Sequence, residues 1–288
     1  MNRMTISMPG IDTTYLNYDT AKEHLFMRLC SPEENQEFLK TVPHTSVQDM
    51  EATYHLLLPG GGDGIASIAV DYEIFGRFNI SKEQLHQDAL ENTPKLMPPV
   101  IYAMPDVLMG LTQPNTSLNE NWQGDFSSQL KDIDFGLSEM YVLSNNRMMN
   151  GAAAICYPQL MQQIGDQVGE NFFIIPSSVH EVLLVPDNGN LDLKDLERMV
   201  KEVNTFEVMP GDRLSNSVYH YDVNDRMFER GADYEARQKE DLLHKEQGMP
   251  VKKGVMERES IKTQLENAAK ESVTQPFRHI PAKQQVLS

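Results

Sequence analysis

The stretch Phe172-Phe173-Ile174-Ile175-Pro176-Ser177-Ser178-Val179-His180-Glu181-Val182-Leu183-Leu184-Val185 decides the architecture. Two short apolar runs, Phe172 to Ile175 and Val182 to Val185, flank a proline and two serines. Runs of this length, rich in β-branched and aromatic residues, read as strands. Pro176-Ser177-Ser178 reads as a turn whose hydroxyls bond to the backbone. Strands joined this closely pair antiparallel, because a parallel pair needs a long crossover.

Towards the C-terminus, Asp192 caps a helix with the apolar stripe Leu193, Leu196, Met199, Val200 and Val203. Val218 to Tyr221 is a last short strand. Towards the N-terminus, Pro158 starts a helix with Leu160, Met161, Ile164 and Val168 on one face, closed by Gly169. Before it, Glu139 to Leu143 reads as a strand, Ser144-Asn145-Asn146 as a turn and Ala152 to Cys156 as the partner strand. Residues 111–131 are polar and read as a long surface loop, preceded by a short helix around Asp106 to Met109.

The first part repeats the pattern. Leu25 to Leu29 alternates like a strand, and Ser31-Pro32-Glu33-Glu34 is a capping box for a short helix through Phe38 and Leu39. Ala52 to Leu58 and Ile65 to Tyr72 are apolar runs around Pro59-Gly60-Gly61-Gly62-Asp63-Gly64. A phosphate cradle would need a helix after the glycines, and a strand pattern follows, so a hairpin connection is expected. Ser81 and Gln84 form a second capping box, and that helix should stop at Thr93, before Pro94. Strands in adjacent pairs with helices between the sets predict an α+β domain, mainly antiparallel, with helices segregated to one side. Regular βαβ alternation is absent, which argues against a doubly wound nucleotide fold. Residues 1–17 form an irregular lead-in, 18–230 the domain, and 231–288 a mobile, partly helical tail. The 111–131 loop could separate two subdomains within that domain.

The chain has 288 residues, with 42 acids against 25 Lys and Arg, a formal charge of −17. Residues 231–288 hold nine acids and ten bases, so the first 230 residues carry a net of −18. Neither 96–130 nor 148–193 contains a Lys or Arg, which marks where a basic partner would dock. Such a charge opposes direct nucleic-acid binding. No apolar run reaches membrane length, and no export signal is visible. Cys30 and Cys156 therefore read as reduced, buried thiols of a cytoplasmic protein.

Ser177, Ser178, His180 and Glu181 are the densest group of reactive side chains and the candidate catalytic residues. A serine nucleophile needs a base, a group that orients the base and an oxyanion hole, which neighbours in one strand seldom supply. His180-Glu181 begins like a zinc-protease helix, but Leu184 stands where the second His belongs. His55, His86 and His220 could join His180 as ligands only across the fold. No metal site and no cofactor is expected from these spacings. The simpler reading makes the turn structural, with His180 and Glu181 pinning the following strand.

Several strings together resemble a bacterial domain-of-unknown-function family, number 5688. They are Tyr141-Val142-Leu143-Ser144-Asn145, Gly151-Ala152-Ala153, Ile175 to Val182, Met199 to Asn204 and Leu214 to Tyr221. Val42-Pro43-His44 and Ala89 to Leu96 are similar to it as well, so the resemblance runs from Tyr18 to Arg230. It implies an intracellular bacterial protein, often carried on mobile elements, and assigns no activity. Three functions follow as expectations. The first is a non-enzymatic protein-binding or regulatory factor with a protein partner, possibly a basic one. The second is a hydrolase using Ser178, His180 and Glu181. The third is an acidic mimic of nucleic acid directed against host defence.

Overall fold

The fold is built around two antiparallel sheets, seen in a computed structural model that describes residues 13–58, 66–110, 126, 130, 133, 135 and 138–246. The chain divides into two units after Leu243, and only His244 to Glu246 of the second lie among the described residues.

The smaller sheet contains β1 (Leu25–Cys30), β2 (His44–Val47), β3 (Met50–Leu57) and β4 (Ser67–Ala69). β3 is central: β1 lies along one side, and β2 and β4 share the other. The larger sheet contains β5 (Pro99–Ala103), β6 (Tyr141–Asn145), β7 (Phe172–Pro176), β8 (Val182–Pro186), β9 (Tyr219–Asp222) and β10 (Met227–Arg230). Its order is β10-β9-β7-β8-β6-β5, antiparallel throughout. The α+β, antiparallel expectation therefore holds.

β7 and β8 read as continuous apolar runs because both faces of the sheet are covered. Phe172, Ile174, Val182 and Leu184 face the main core, with Met27, Tyr54, Leu85 and Tyr141. Phe173, Ile175 and Val185 face a second cluster with Leu193, Leu196 and Val200 of a helix at Leu193–Phe206. Asp192 caps that helix, accepting from the backbone N–H groups of Lys194 at 2.8 Å and Asp195 at 3.3 Å. Met199 and Val203 do not join the buried stripe: they are 56% and 41% exposed. The helix has a second apolar face, which a list of apolar positions cannot separate from the first.

Four other expectations need correction. Gly151–Cys156 is a 3-10 helix rather than a strand, entered through Asn150 at φ 52. β6 pairs with β5 and β8 instead. The helix capped by Ser81 spans Lys82–Leu96 and contains Pro94. Proline is tolerated in this last turn while the Thr93 hydroxyl donates to Ala89 O and accepts from Met27 N–H. Within the 111–131 loop, Phe126 and Leu130 are fully buried in the main core, so they are not surface residues. Most of that loop, the glycine run 59–64 and the first twelve residues lie outside the described residues.

The fourth correction concerns the tail. A helix spans Gly231–Glu246 at the start of the segment read as a mobile, partly helical tail, and it is packed onto the domain. Its Tyr234 ring stacks on the fully buried His220, centroids 3.5 Å apart. Its Arg237 bonds Asp222, Asp225 and Glu229 at 2.9, 3.0 and 2.6 Å. Burial keeps the His220 imidazole below its ordinary pKa, against the opposing pull of Asp187 and Asp222. The expected tail 247–288 lies outside the described residues.

One carboxylate fastens the two sheets together. Asp49 sits in the tight β2–β3 turn beside Gln48 at φ 57. It accepts from the hydroxyls of Ser215 and Ser217, both at 2.8 Å, and from the Tyr219 phenol at 2.5 Å. Burial disfavours the charged form, but the hydroxyls of Tyr219, Ser217 and Ser215 outweigh it and hold Asp49 below its usual pKa. A carboxyl with a depressed folded pKa contributes stability above its unfolded pKa and loses it as pH falls through the folded value. Asp49→Asn should cost about 1–3 kcal/mol at pH 7 in urea unfolding. The gap to the parent protein should begin to narrow below about pH 4 and close as pH falls through the lower folded value. A gap that stays constant to low pH would contradict the charged latch.

Candidate functional site

The five residues between β7 and β8, Ser177 to Glu181, are held from below by β6 and the 3-10 helix. Asn145, fully buried, shapes the turn after β6: its amide donates to Met149 O at 2.8 Å and its oxygen accepts from Arg147 N–H at 3.0 Å. That turn delivers Asn150, in the left-handed region, beneath His180. The Gly151 N–H and the Ser144 hydroxyl both donate to His180 O, at 2.9 and 2.8 Å. The Ala152 N–H donates to Val179 O at 3.2 Å, and the Val179 N–H donates to Asp212 O at 2.8 Å.

The structure brings all four candidate residues together, but the hydroxyls do not meet the imidazole. Ser177 and Ser178 both donate to Glu181 Oε1, at 2.7 and 2.9 Å. Ser178 Oγ also accepts from the His180 backbone N–H at 3.0 Å. His180 Nδ1 accepts from the Asn150 N–H at 3.2 Å, which leaves the proton of a neutral ring on Nε2. Nε2 lies 3.4 Å from Asp212 Oδ1, and the ring is 33% exposed. The carboxylate that pairs with the imidazole is thus Asp212, which sequence reading did not single out. It lies in a short turn, Pro210–Asp212, remote in sequence and without any motif to flag it.

A groove of about 400 Å³ opens at Asp49. Ser31, Glu34, Glu51, Arg213 and Ser215 are among the residues that line it, with Asp49 at its base. Arg213 pairs with Glu34 at 3.3 Å and donates to Val208 O at 3.2 Å. Asn204 crosses from its helix to hold Ser215 O at 2.9 Å and Asn216 Oδ1 at 3.0 Å. The groove is acidic, yet both Asp49 oxygens are already committed to hydroxyls.

The histidines weighed as metal ligands stand apart, each with different partners. His55 bonds Thr53 at 3.0 Å, and burial pushes its pKa down to about 3. His86 bonds the Tyr54 phenol at 3.0 Å, and His220 lies under Tyr234. Among the described residues no three His, Cys, Asp or Glu side chains are placed to hold a metal ion. Burial pushes the Cys30 and Cys156 thiols up to about 12, which makes them poor nucleophiles. Among the described residues no helix is long and apolar enough to cross a membrane.

Gly151 measures how tight this node is. A Cβ there would lie 2.1 Å from Ser144 Oγ, 2.5 Å from His180 O and 2.7 Å from Asn145 N. Gly76, inside the helix Tyr72–Phe78, has open space at the same point. Gly151→Ala should destabilise by about 2–4 kcal/mol in chemical unfolding, through overpacking and lost hydrogen bonds. Gly76→Ala should be neutral or stabilise by up to about 1 kcal/mol. Equal effects at the two positions would show that the node is not close-packed.

A family described as a family of unknown function, DUF5688, matches residues 4–223. No curated protein and no solved structure matches the chain. The match spans both sheets through β9 and the whole Ser177–Glu181 turn, and the chain belongs to this family of unknown function.

Proposed function

We propose that the chain is a binding factor without a reaction of its own, acting in the bacterial cytoplasm on a protein partner with a basic surface. One observation carries this reading. Both turn hydroxyls donate to Glu181, and neither lies on a ring nitrogen of His180. A nucleophile and its base have to be within hydrogen-bond reach of each other, which this arrangement does not provide. The formal charge of −17 supports the choice of partner. It speeds encounter with a basic protein and opposes a phosphate backbone.

A second reading keeps one specific observation. His180 Nε2 faces Asp212 at 3.4 Å with a third of the ring exposed, which is a base with an orienting carboxylate. A hydrolase would need the Ser178 hydroxyl to leave Glu181 and replace the Asn150 N–H on Nδ1, the one ring nitrogen with a lone pair. The two readings separate in one experiment. The full-length chain and its His180→Ala variant are used in parallel to capture partners, and each captured protein is then purified and titrated. Binding reading: both forms hold the same basic protein, with affinity that falls as salt rises. Turnover of an ester or amide panel that disappears in both Ser178→Ala and His180→Ala would overturn it. Salt-sensitive capture confined to nucleic-acid-binding proteins, released by competing DNA, would mark the acidic body as a nucleic-acid mimic.

A further inference from the structure

The helix Leu193–Phe206 has two different apolar faces. Leu193, Leu196 and Val200 are buried against the larger sheet. Beside them, roughly 50–115° further around the helix, Met199, Val203 and Phe206 are 56%, 41% and 79% exposed. Met209, just beyond the helix, is 73% exposed. Exposed side chains of this size at spacings i, i+4 and i+7 make a continuous ridge, which a helix leaves open to solvent only at a cost. That spacing is the one a second helix reads when it packs alongside. Met and Phe are also side chains enriched at the centres of interfaces.

The charges beside the ridge indicate what would cover it. Glu202 lies between Met199 and Phe206 on the same face, and Glu207 follows at the helix end; both are exposed. Among the described residues neither forms an ion pair with another side chain, whereas Arg198, at the edge of the ridge, is paired with Asp195 at 2.7 Å. Lys194 and Lys201 sit roughly 120–160° around the helix from Met199 and Phe206, so they do not neutralise the face. A second copy of this chain would bring the same acids and another −17 to the contact.

We propose that this ridge is the docking surface for a basic amphipathic helix of a partner protein. Its apolar side would seat on Met199, Val203 and Phe206, and its Lys or Arg side chains would reach Glu202 and Glu207. The proposal rests on the reading of the chain as a protein-binding factor and locates the surface that does the binding.

The test uses the full-length chain and a labelled helical peptide of about 18 residues, with Leu on one face and Lys on the other. Fluorescence anisotropy should show saturable binding. Met199→Ser combined with Phe206→Ser should weaken it at least about tenfold, since exposed anchors rather than area set affinity. Glu202→Gln with Glu207→Gln should weaken it several-fold and flatten its salt dependence. Asp166→Asn, an exposed acid on the helix Leu160–Val168, should leave it unchanged. A peptide with Glu in place of every Lys should not bind. Circular dichroism of each variant confirms that the fold is intact. Equal binding by the Ser variants, or no binding at all, overturns the proposal. So does self-association of the chain that the same substitutions abolish, because a second copy would then occupy the ridge. If the Ser variants still retain a partner captured by the parent chain, this surface is wrong while the binding function stands.

Discussion

The carbonyl oxygen of His180 is the point on which the site is built. It accepts the Gly151 N–H and the Ser144 hydroxyl in a space that admits no Cβ at position 151. Three separate segments therefore meet at one atom: the end of β6, the start of the 3-10 helix and the β7–β8 connection. From there the bonding continues outward. The Val179 N–H reaches Asp212 O, and the loop after Asp212 supplies the serines that close on Asp49 of the smaller sheet. The end of β6, the start of the 3-10 helix, the β7–β8 turn and the loop after Asp212 are thus consecutive parts of one hydrogen-bonded path between the two sheets. A part-buried carbonyl that loses one of its two donors keeps its desolvation with half the return, so each contributor is constrained by the others.

That constraint shapes what the turn can do. The backbone of residues 178–180 is engaged from three sides, and the hydroxyls of Ser177 and Ser178 are tied to Glu181. The His180 ring reaches towards solvent, with Asp212 as its companion. The chemically dense sequence is therefore built into the hydrogen-bonded framework. The segment from Leu193 to Asp212 leaves this framework as a helix with its outer face bare and returns as the turn that carries Asp212. Framework and exposed ridge share the same stretch of chain: Asn204 braces Ser215 while Met199 and Phe206 stand exposed.

What the sequence makes legible follows from locality. β7 and β8 are readable because both faces are buried, which leaves apolar runs with turn residues at each end. The caps at Ser81 and Asp192 are readable because donor and acceptor lie within three residues. The 3-10 helix Gly151–Cys156 is not, since a short, wholly buried apolar run has no periodicity to distinguish it from a strand. The helix Gly231–Glu246 is poor in apolar residues, and a ring stack and an arginine hold it in place, neither of which leaves a pattern. The Asp49 latch joins residues 166 to 170 positions apart, and Asp212 meets His180 only through folding. The ridge was hidden differently: Met199 and Val203 were visible as apolar, but one helix with two apolar faces reads as one wide stripe.

The Ser177–Glu181 turn ties β6, the 3-10 helix and the β7–β8 connection together through its backbone and through Glu181. A double-mutant cycle between Ser178→Ala and Glu181→Gln, followed by urea unfolding, tests it most directly. Each substitution should destabilise, and the pair should be coupled by about 1–3 kcal/mol, as for a partly buried hydrogen bond to a charged acceptor. Two substitutions that leave stability unchanged and add without coupling would contradict it.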